Sequence, residues 1–284
     1  MNDSNIFIVG ANGQLGTALR EKYPNAKYAD IKELDITSNK SINEFNWSGI
    51  EFILNSAAYT NVDGAETDEG RVASWKVNAH AVSSLAEVAN KNNITLVHVS
   101  SDYVFDGTNE IHTEKEDYSP LSVYGSSKAA GDIACSLAPK HYILRTSWVI
   151  GEGNNFVKTM MELGQKGVEP TVVSDQIGRL TFTSELVRAI DHLLTNKCEY
   201  GTYNVTNSGD SASWADITRE IFKLSNLNNK VSDTTTTEYY KDKQGIAPRP
   251  LHSTLSLTKI NSTGFESTDW GVDLERYIKK EMNL

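Results

Sequence analysis

Short apolar runs, each closed by small or polar residues, recur through the first half of the chain. Ile6-Phe7-Ile8-Val9 ends in Gly10 and reads as a buried parallel strand, since a strand covered on both faces needs a continuous apolar run. Ala26 to Asp30, Glu51 to Asn55, Thr95 to Ser100 and Tyr142 to Val149 repeat the pattern. Between them lie helix-like stretches: Thr17 to Lys22, Val77 to Val88 with Asn78 and His80 near its start, and Tyr124 through Leu137. Strands alternating with helices at this spacing predict an α/β fold, a doubly wound parallel sheet of Rossmann type.

Past Val149 the pattern loosens. Gly151 to Asn155 is a turn-rich hinge, and Phe156 to Leu163 is an amphipathic helix. Pro170 to Asp175 and Gly201 to Val205 read as strands. Helices are predicted from Ser184 to Leu194 and from Ser213 to Leu224, with Ser184 and Ser213 as N-caps and Asp216 in a first turn. The threonines 234–237 read as loop or edge strand, and Pro248-Arg249-Pro250 as an extended segment presenting Arg249 rigidly. The expectation is a dinucleotide-binding domain over 1–150 and a smaller mixed α/β lobe over 151–284 that closes a substrate cleft. Part of that second segment is expected to cross back to the first.

Composition narrows the function. The chain has 284 residues, 39% hydrophobic and 23% charged, enough for a sizeable core. A net charge of −10 argues against a nucleic-acid or anionic-membrane partner. Cys135 and Cys198 lie far apart without metal-ligand spacing, which suggests a reducing compartment and no disulfide framework. Met1-Asn2-Asp3-Ser4 carries no basic signal region, and no run is long enough to span a membrane, so a cytoplasmic location is expected. The six histidines show no HxxxH or HxH pairing, and no metal site is predicted.

Chemistry enters with Gly10-Ala11-Asn12-Gly13-Gln14-Leu15-Gly16, placed between the first strand and a helix. The spacing is GxxGxxG rather than GxGxxG. Even so, glycines here allow a tight turn and close approach to a pyrophosphate, which the helix N-terminus then favours. Asp30, 20 residues after Gly10, is placed to hydrogen-bond an adenosine ribose and favours NADH. Lys32 close by could instead meet a 2′-phosphate, so NADPH and NADH both stay open. Asp35-Ile36-Thr37 begins a helix cap or flanks the adenine, and Ser56-Ala57-Ala58 lets a cofactor pass close to the backbone. Tyr124 and Lys128 are four apart and share one helix face. An ammonium beside a phenol lowers its pKa, and such a tyrosine can exchange a proton with a carbonyl or alcohol oxygen.

Taken together, these residues resemble the extended short-chain dehydrogenase/reductases, and most closely the dTDP-4-dehydrorhamnose reductase family. The likeness runs through GANGQLG at 10–16, LDIT at 34–37, AAYTNVDGAE at 57–66 and SSDYVFDG at 100–107. It continues with YGSSK at 124–128, RTSWV at 145–149, GNNFVKTM at 153–160, DQIG at 175–178 and PRP at 248–250. The resemblance implies NAD(P)H-dependent reduction of the C4 ketone of a nucleotide-linked 4-keto-6-deoxyhexose, the last step of dTDP-L-rhamnose synthesis. It implies Tyr124 as catalytic acid, Lys128 on the nicotinamide ribose and Ser101 on the reacting oxygen. Gly13 to Leu15, Asp35-Ile36 and Ala58-Tyr59-Thr60 match cofactor contacts, and Asp102 and Trp148 match sugar or nucleotide contacts. Asn155, Gln176 and Arg249 are further substrate candidates, Arg249 being suited to a diphosphate. A homodimer is compatible with the family.

Its pattern is departed from in three places. Ser101 stands for the usual Thr, Arg179-Leu180 replaces the usual proline-containing pair, and Asn204 stands where His is common. Arg179-Leu180 is therefore where the choice of sugar or nucleotide is expected to be made. Tyr103 stands where related dehydratases carry Glu, which argues against elimination. A reductase forming a 6-deoxytalose is the enzymatic alternative. A regulatory subunit of the methionine adenosyltransferase type, a binding module, is the non-enzymatic one.

Overall fold

The computed structural model describes residues 2–282; Met1, Asn283 and Leu284 lie outside the described residues. In chain order the strands are β1 (Ile6–Val9), β2 (Lys27–Ala29), β3 (Phe52–Asn55), β4 (Thr95–Ser101), β5 (His141–Thr146) and β6 (Val149–Ile150). They continue with β7 (Thr171–Val173), β8 (Ile177–Gly178), β9 (Thr181–Phe182), β10 (Gly201–Asn204), β11 (Ala212–Ser213) and β12 (Ser232–Thr234). The helices are α1 (Gln14–Lys22), α2 (Asn39–Glu44), α3 (Asp68–Trp75), α4 (Ala81–Lys91), α5 (Val123–Ser136) and α6 (Phe156–Gln165). After them come α7 (Thr183–Thr195), α8 (Trp214–Leu224), α9 (Thr236–Tyr240), α10 (Thr258–Asn261) and α11 (Trp270–Glu281).

Six strands make one parallel sheet in the order β10-β5-β4-β3-β1-β2. All four residues of β1 are buried, as a strand covered on both faces requires. Burying an Ile or Val side chain of this kind contributes about 1.5–3 kcal/mol. One face carries α1 and α7, through Leu15, Leu19, Leu186, Ile190 and Leu193. The other carries α2, α4 and α5, through Ile42, Val82, Leu85, Ala89 and Cys135. A third apolar cluster joins α6, α8 and α11 through Val157, Met161, Ile221, Phe222 and Leu274. The chain leaves the sheet after β5, returns for α7 and β10, then leaves again. Among the described residues no helix is long and apolar enough to cross a membrane.

Several boundaries differ from the sequence reading, each for a local reason. The strand expected over 142–149 stops at Thr146, because Trp148 adopts a left-handed φ of 48° that breaks the ladder before β6. The helix expected from Val77 begins as a π-helical turn, Lys76–His80, continuous with α3 and α4. Ser184 is not the cap of α7. The cap is Phe182, whose N–H is taken by Asn207 Oδ1 at 2.8 Å. The threonine run is split, since Thr234 ends β12, parallel to β7, while Thr236 opens α9. Ser213 caps α8 as expected, in a full capping box with Asp216.

Where α5 crosses the π-helical turn the backbones are in close contact. A Cβ added at Gly131 would run into the carbonyl oxygen of Asn78. Alanine is worth about 1 kcal/mol more than glycine inside a helix, yet overpacking costs about 1–3 kcal/mol. Gly131→Ala is therefore expected to destabilise the protein, seen as a lower urea midpoint; an unchanged or higher midpoint would show that the contact gives way easily.

Candidate active site

The carboxyl ends of β1, β3, β4 and β5 open onto a cleft of about 750 Å³. It sits where the sheet order reverses, between β1 and β3, the position at which open α/β sheets bind ligands. Gly10, Gly13, Gln14 and Leu15 line it on one side of that switch, and Ser56, Ala57, Ala58 and Thr60 on the other. Asp30, Asp35, Ile36 and Thr37 close one end, and Ser101, Asp102, Tyr103, Tyr124, Lys128 and Trp148 close the opposite end.

The glycine loop fits a dinucleotide. Gly10 has φ 75°, and a Cβ there would lie 2.6 Å from the Ala57 backbone. Gly16 brings α1 directly against the Gly10 carbonyl. Gly13 is the N-cap of α1 and offers no side-chain cap, so the first-turn N–H groups are left for an anion. Asn12 does not line the cleft: its N–H donates to Asp30 Oδ2 at 3.0 Å, which locks the loop to the end of β2. Tyr59 is likewise outside the lining. Its N–H and carbonyl are both held by the Asn78 side chain, at 2.9 and 3.1 Å.

At the opposite end, α5 is started by Ser122, whose hydroxyl accepts the Gly125 N–H at 3.0 Å. Tyr124, Lys128 and Asp132 follow on one face, all buried. Lys128 Nζ donates to the Val99 carbonyl at 2.7 Å, and Asp132 Oδ2 accepts from Arg145 Nε at 3.0 Å. Burial pulls the Lys128 amine down to about 8, with Asp132 opposing. Burial pushes the Tyr124 phenol up to about 12, the Ser101 hydroxyl works against it, and Asp102 and Asp132 raise it further. The sequence reading had the ammonium lowering the phenol. Instead desolvation dominates, and the ammonium is turned to a strand carbonyl. Burial also pushes Asp102 up to about 6, against hydrogen bonds from Ser253 and Ser101.

The three further substrate candidates stand outside the lining, each engaged within the fold. Asn155 caps α6 and donates to Gly151 O at 2.8 Å and to Tyr277 at 2.7 Å. Gln176 donates to Thr236 at 3.0 Å and accepts from Trp214 Nε1 at 3.3 Å. Arg249, read as a diphosphate ligand, makes two 2.9 Å bonds to the Asp63 carboxylate and lies over the Tyr240 ring. Arg179 does not line the cleft either; it is buried and donates to the Leu255 carbonyl.

Sequence reasoning missed three contributors. Tyr103 packs edge-on against Tyr124, with ring centroids 5.4 Å apart at 82°. Asn78 and Ser74 reach Ser127 at 3.0 and 2.8 Å, and Ser127 donates to the Tyr124 carbonyl at 2.7 Å, a polar net that ties the start of α5 to α3 and the π-helical turn. Trp214 stacks on Trp148 at 3.8 Å and 20°. A polar residue inside an apolar helical run was the one available signal for Asn78; nothing local marked Trp214.

Comparison with known proteins agrees along the chain. Residues 4–283 match the family described as RmlD substrate binding domain. A dTDP-4-dehydrorhamnose reductase of Aggregatibacter actinomycetemcomitans is 38% identical, over 93% of this chain and 95% of that one. A solved dTDP-4-dehydrorhamnose reductase of Clostridium acetobutylicum superposes with a TM-score of 0.89 at 37% identity, over 98% and 99% of the two chains. One from Bacillus anthracis, in complex with NADP, also scores 0.89 at 35% identity, over 97% and 98%.

The Lys128 amine generates a stability prediction. Its folded pKa lies below its unfolded value, so the unfolded state binds the proton more tightly, and stability rises with pH between about 8 and 10.5. Lys128→Met is expected to be more stable than the natural chain near pH 7, by on the order of 3 kcal/mol. That advantage should shrink as pH rises to 10, as read from urea unfolding at the two pH values. A gap that did not depend on pH would refute the depressed pKa.

Proposed function

The chain belongs to the dTDP-4-dehydrorhamnose reductase family, and from that premise we propose that it reduces dTDP-4-dehydro-L-rhamnose to dTDP-L-rhamnose with NADPH or NADH, in the cytoplasm, for cell-surface polysaccharide synthesis. The observation that carries this reading is the convergence of Ser101, Tyr124 and Lys128 on one end of a cleft whose other end is the glycine loop. The same convergence favours catalysis over a binding module, which has no use for a buried phenol beside a hydroxyl and an ammonium.

Residues 1–150 carry the cofactor and 151–284 supply most of the substrate lobe, with α7 and β10 completing the cofactor domain. Gly10, Gly13, Gln14 and Leu15 line the cleft where they would cradle a pyrophosphate, Asp30 would meet the adenosine ribose, and Ala57, Ala58 and Thr60 would flank the dinucleotide. When bound, the nicotinamide supplies the hydride. Tyr124 Oη gives its proton to the ketone oxygen. The Ser101 hydroxyl orients that oxygen by hydrogen bonding. Lys128, with one N–H group given to the Val99 carbonyl, would hold the nicotinamide ribose with the others. Trp148, stiffened by Trp214, forms the wall against the sugar nucleotide.

NMR analysis of the product formed from dTDP-4-dehydro-L-rhamnose tests substrate and stereochemistry together; a 6-deoxytalose product, or none, would overturn the proposal. Tyr124→Phe is expected to fold and bind cofactor but to lose 10²–10⁴ in kcat, and near-normal turnover would remove Tyr124 from its role. Lys128→Ala should weaken cofactor binding as well as turnover, which a fluorescence titration with the reduced cofactor measures.

A further inference from the structure

The Trp148 ring lines the cleft from a backbone conformation that few bulky residues adopt, with φ at 48°. Such a conformation persists only where its surroundings hold it. The Trp148 carbonyl accepts the Thr181 N–H at 3.1 Å. Gly178 lies so close to the ring that a Cβ there would stand 3.0 Å from Cζ2. Trp214 stacks on the ring from α8, at 3.8 Å and 20°. What fixes Trp214 therefore fixes where Trp148 meets a ligand.

Trp214 is fixed by a string of hydrogen bonds that can run in one direction only. An indole N–H donates and cannot accept, so the Gln176 amide turns its oxygen to Trp214, at 3.3 Å. Its NH2 group then faces the Thr236 hydroxyl at 3.0 Å. That hydroxyl accepts from Gln176 and gives its own proton to Asp175 Oδ1 at 2.7 Å. The carboxylate ends the string, and it also takes the Thr236 N–H at the start of α9. Gln176 is only 6% exposed, and neither it nor Trp214 lines the cleft. Turning the amide over would set its NH2 against the indole N–H, and a buried donor left unpaired is costly.

Resting on the reading of Trp148 as the wall against the sugar nucleotide, we propose that Gln176 is a positioning residue. Acting through Trp214, it sets the angle of the Trp148 ring and so the fit of the nucleotide-linked sugar. Its side chain touches neither substrate nor cofactor. The glycine loop and the loop after β3, at the cofactor end of the cleft, are built by other elements, so the effect falls on the sugar nucleotide.

Steady-state oxidation of NADPH with dTDP-4-dehydro-L-rhamnose tests this in a double-mutant cycle of Gln176→Met and Trp214→Phe. Gln176→Met keeps the size and removes the acceptor; Trp214→Phe keeps a ring against Trp148 and removes the donor. Gln176→Met is expected to raise KM for the sugar nucleotide about tenfold, with kcat and the KM for NADPH within about twofold of the natural protein. In the Trp214→Phe background it should add almost nothing, because Gln176 has lost its route to the ring. Full additivity overturns the proposal, since Gln176 would then reach the substrate without Trp214. An unchanged KM overturns it too, as does a loss shared equally by kcat and both KM values, the mark of a general loss of structure. Should Gln176→Met not fold, Thr236→Val decides, because it cuts the string beyond the amide and leaves both indoles in place. It is expected to raise the same KM by a smaller factor, an increase absent in the Trp214→Phe background; an unmoved KM or an additive one overturns the proposal. If the natural protein oxidises no NADPH with this substrate, the functional reading falls and this role with it, an outcome distinct from variants that match an active natural protein.

Discussion

A buried ammonium bonded to the carbonyl of a central strand fixes how α5 meets the sheet. β3 ends opposite His98, one residue before Val99, and β4 runs on toward the cleft. Lys128 takes the Val99 carbonyl there, one helical turn after Tyr124 and one before Asp132. Asp132 in turn holds Arg145 of β5. A column of alternating charges thus runs inside the protein from the cleft toward β5. Buried pairs of this kind add little net stability against a well-packed apolar substitute, but they fix register. Register is what a proton donor needs, because a phenol displaced by an ångström loses its alignment with the reacting oxygen.

The column also has electrostatic consequences for its neighbours. His98, bonded to Asn55 at 3.1 Å, is held well below the ordinary imidazole range by burial and by the nearby Lys128. It stays neutral, so it adds no competing cation beside the cleft. Cys135, on the same helix, is buried in an apolar surrounding, and its thiol is pushed up by burial and by Asp132. A thiol of that character is a packing group rather than a nucleophile.

Much of the sheet was legible because a strand buried on both faces has a local signature, as Ile6 to Val9 shows. The glycine loop was legible because close backbone approach leaves few alternatives to glycine. What stayed hidden depended on partners distant in sequence. Arg249 looked free until Asp63, 186 residues away, took its guanidinium. Arg179 looked like a specificity cation until its guanidinium proved to be buried against Leu255. The Tyr124 pKa was misjudged because the sequence gives the distance to Lys128 along a helix but not how far burial desolvates the phenol. Strand ends failed for a related reason: the break at Trp148 comes from one left-handed residue that no periodicity announces.

The stacked indoles of Trp148 and Trp214 give the molecule an optical property of its own. Two parallel rings 3.8 Å apart share their excited states, so their circular dichroism and emission belong to the pair rather than to either ring. One member of the pair faces the cleft and the other anchors α8 in the second lobe. A ligand that shifts the Trp148 ring would alter the coupling, so the pair offers a label-free optical signal at the cleft.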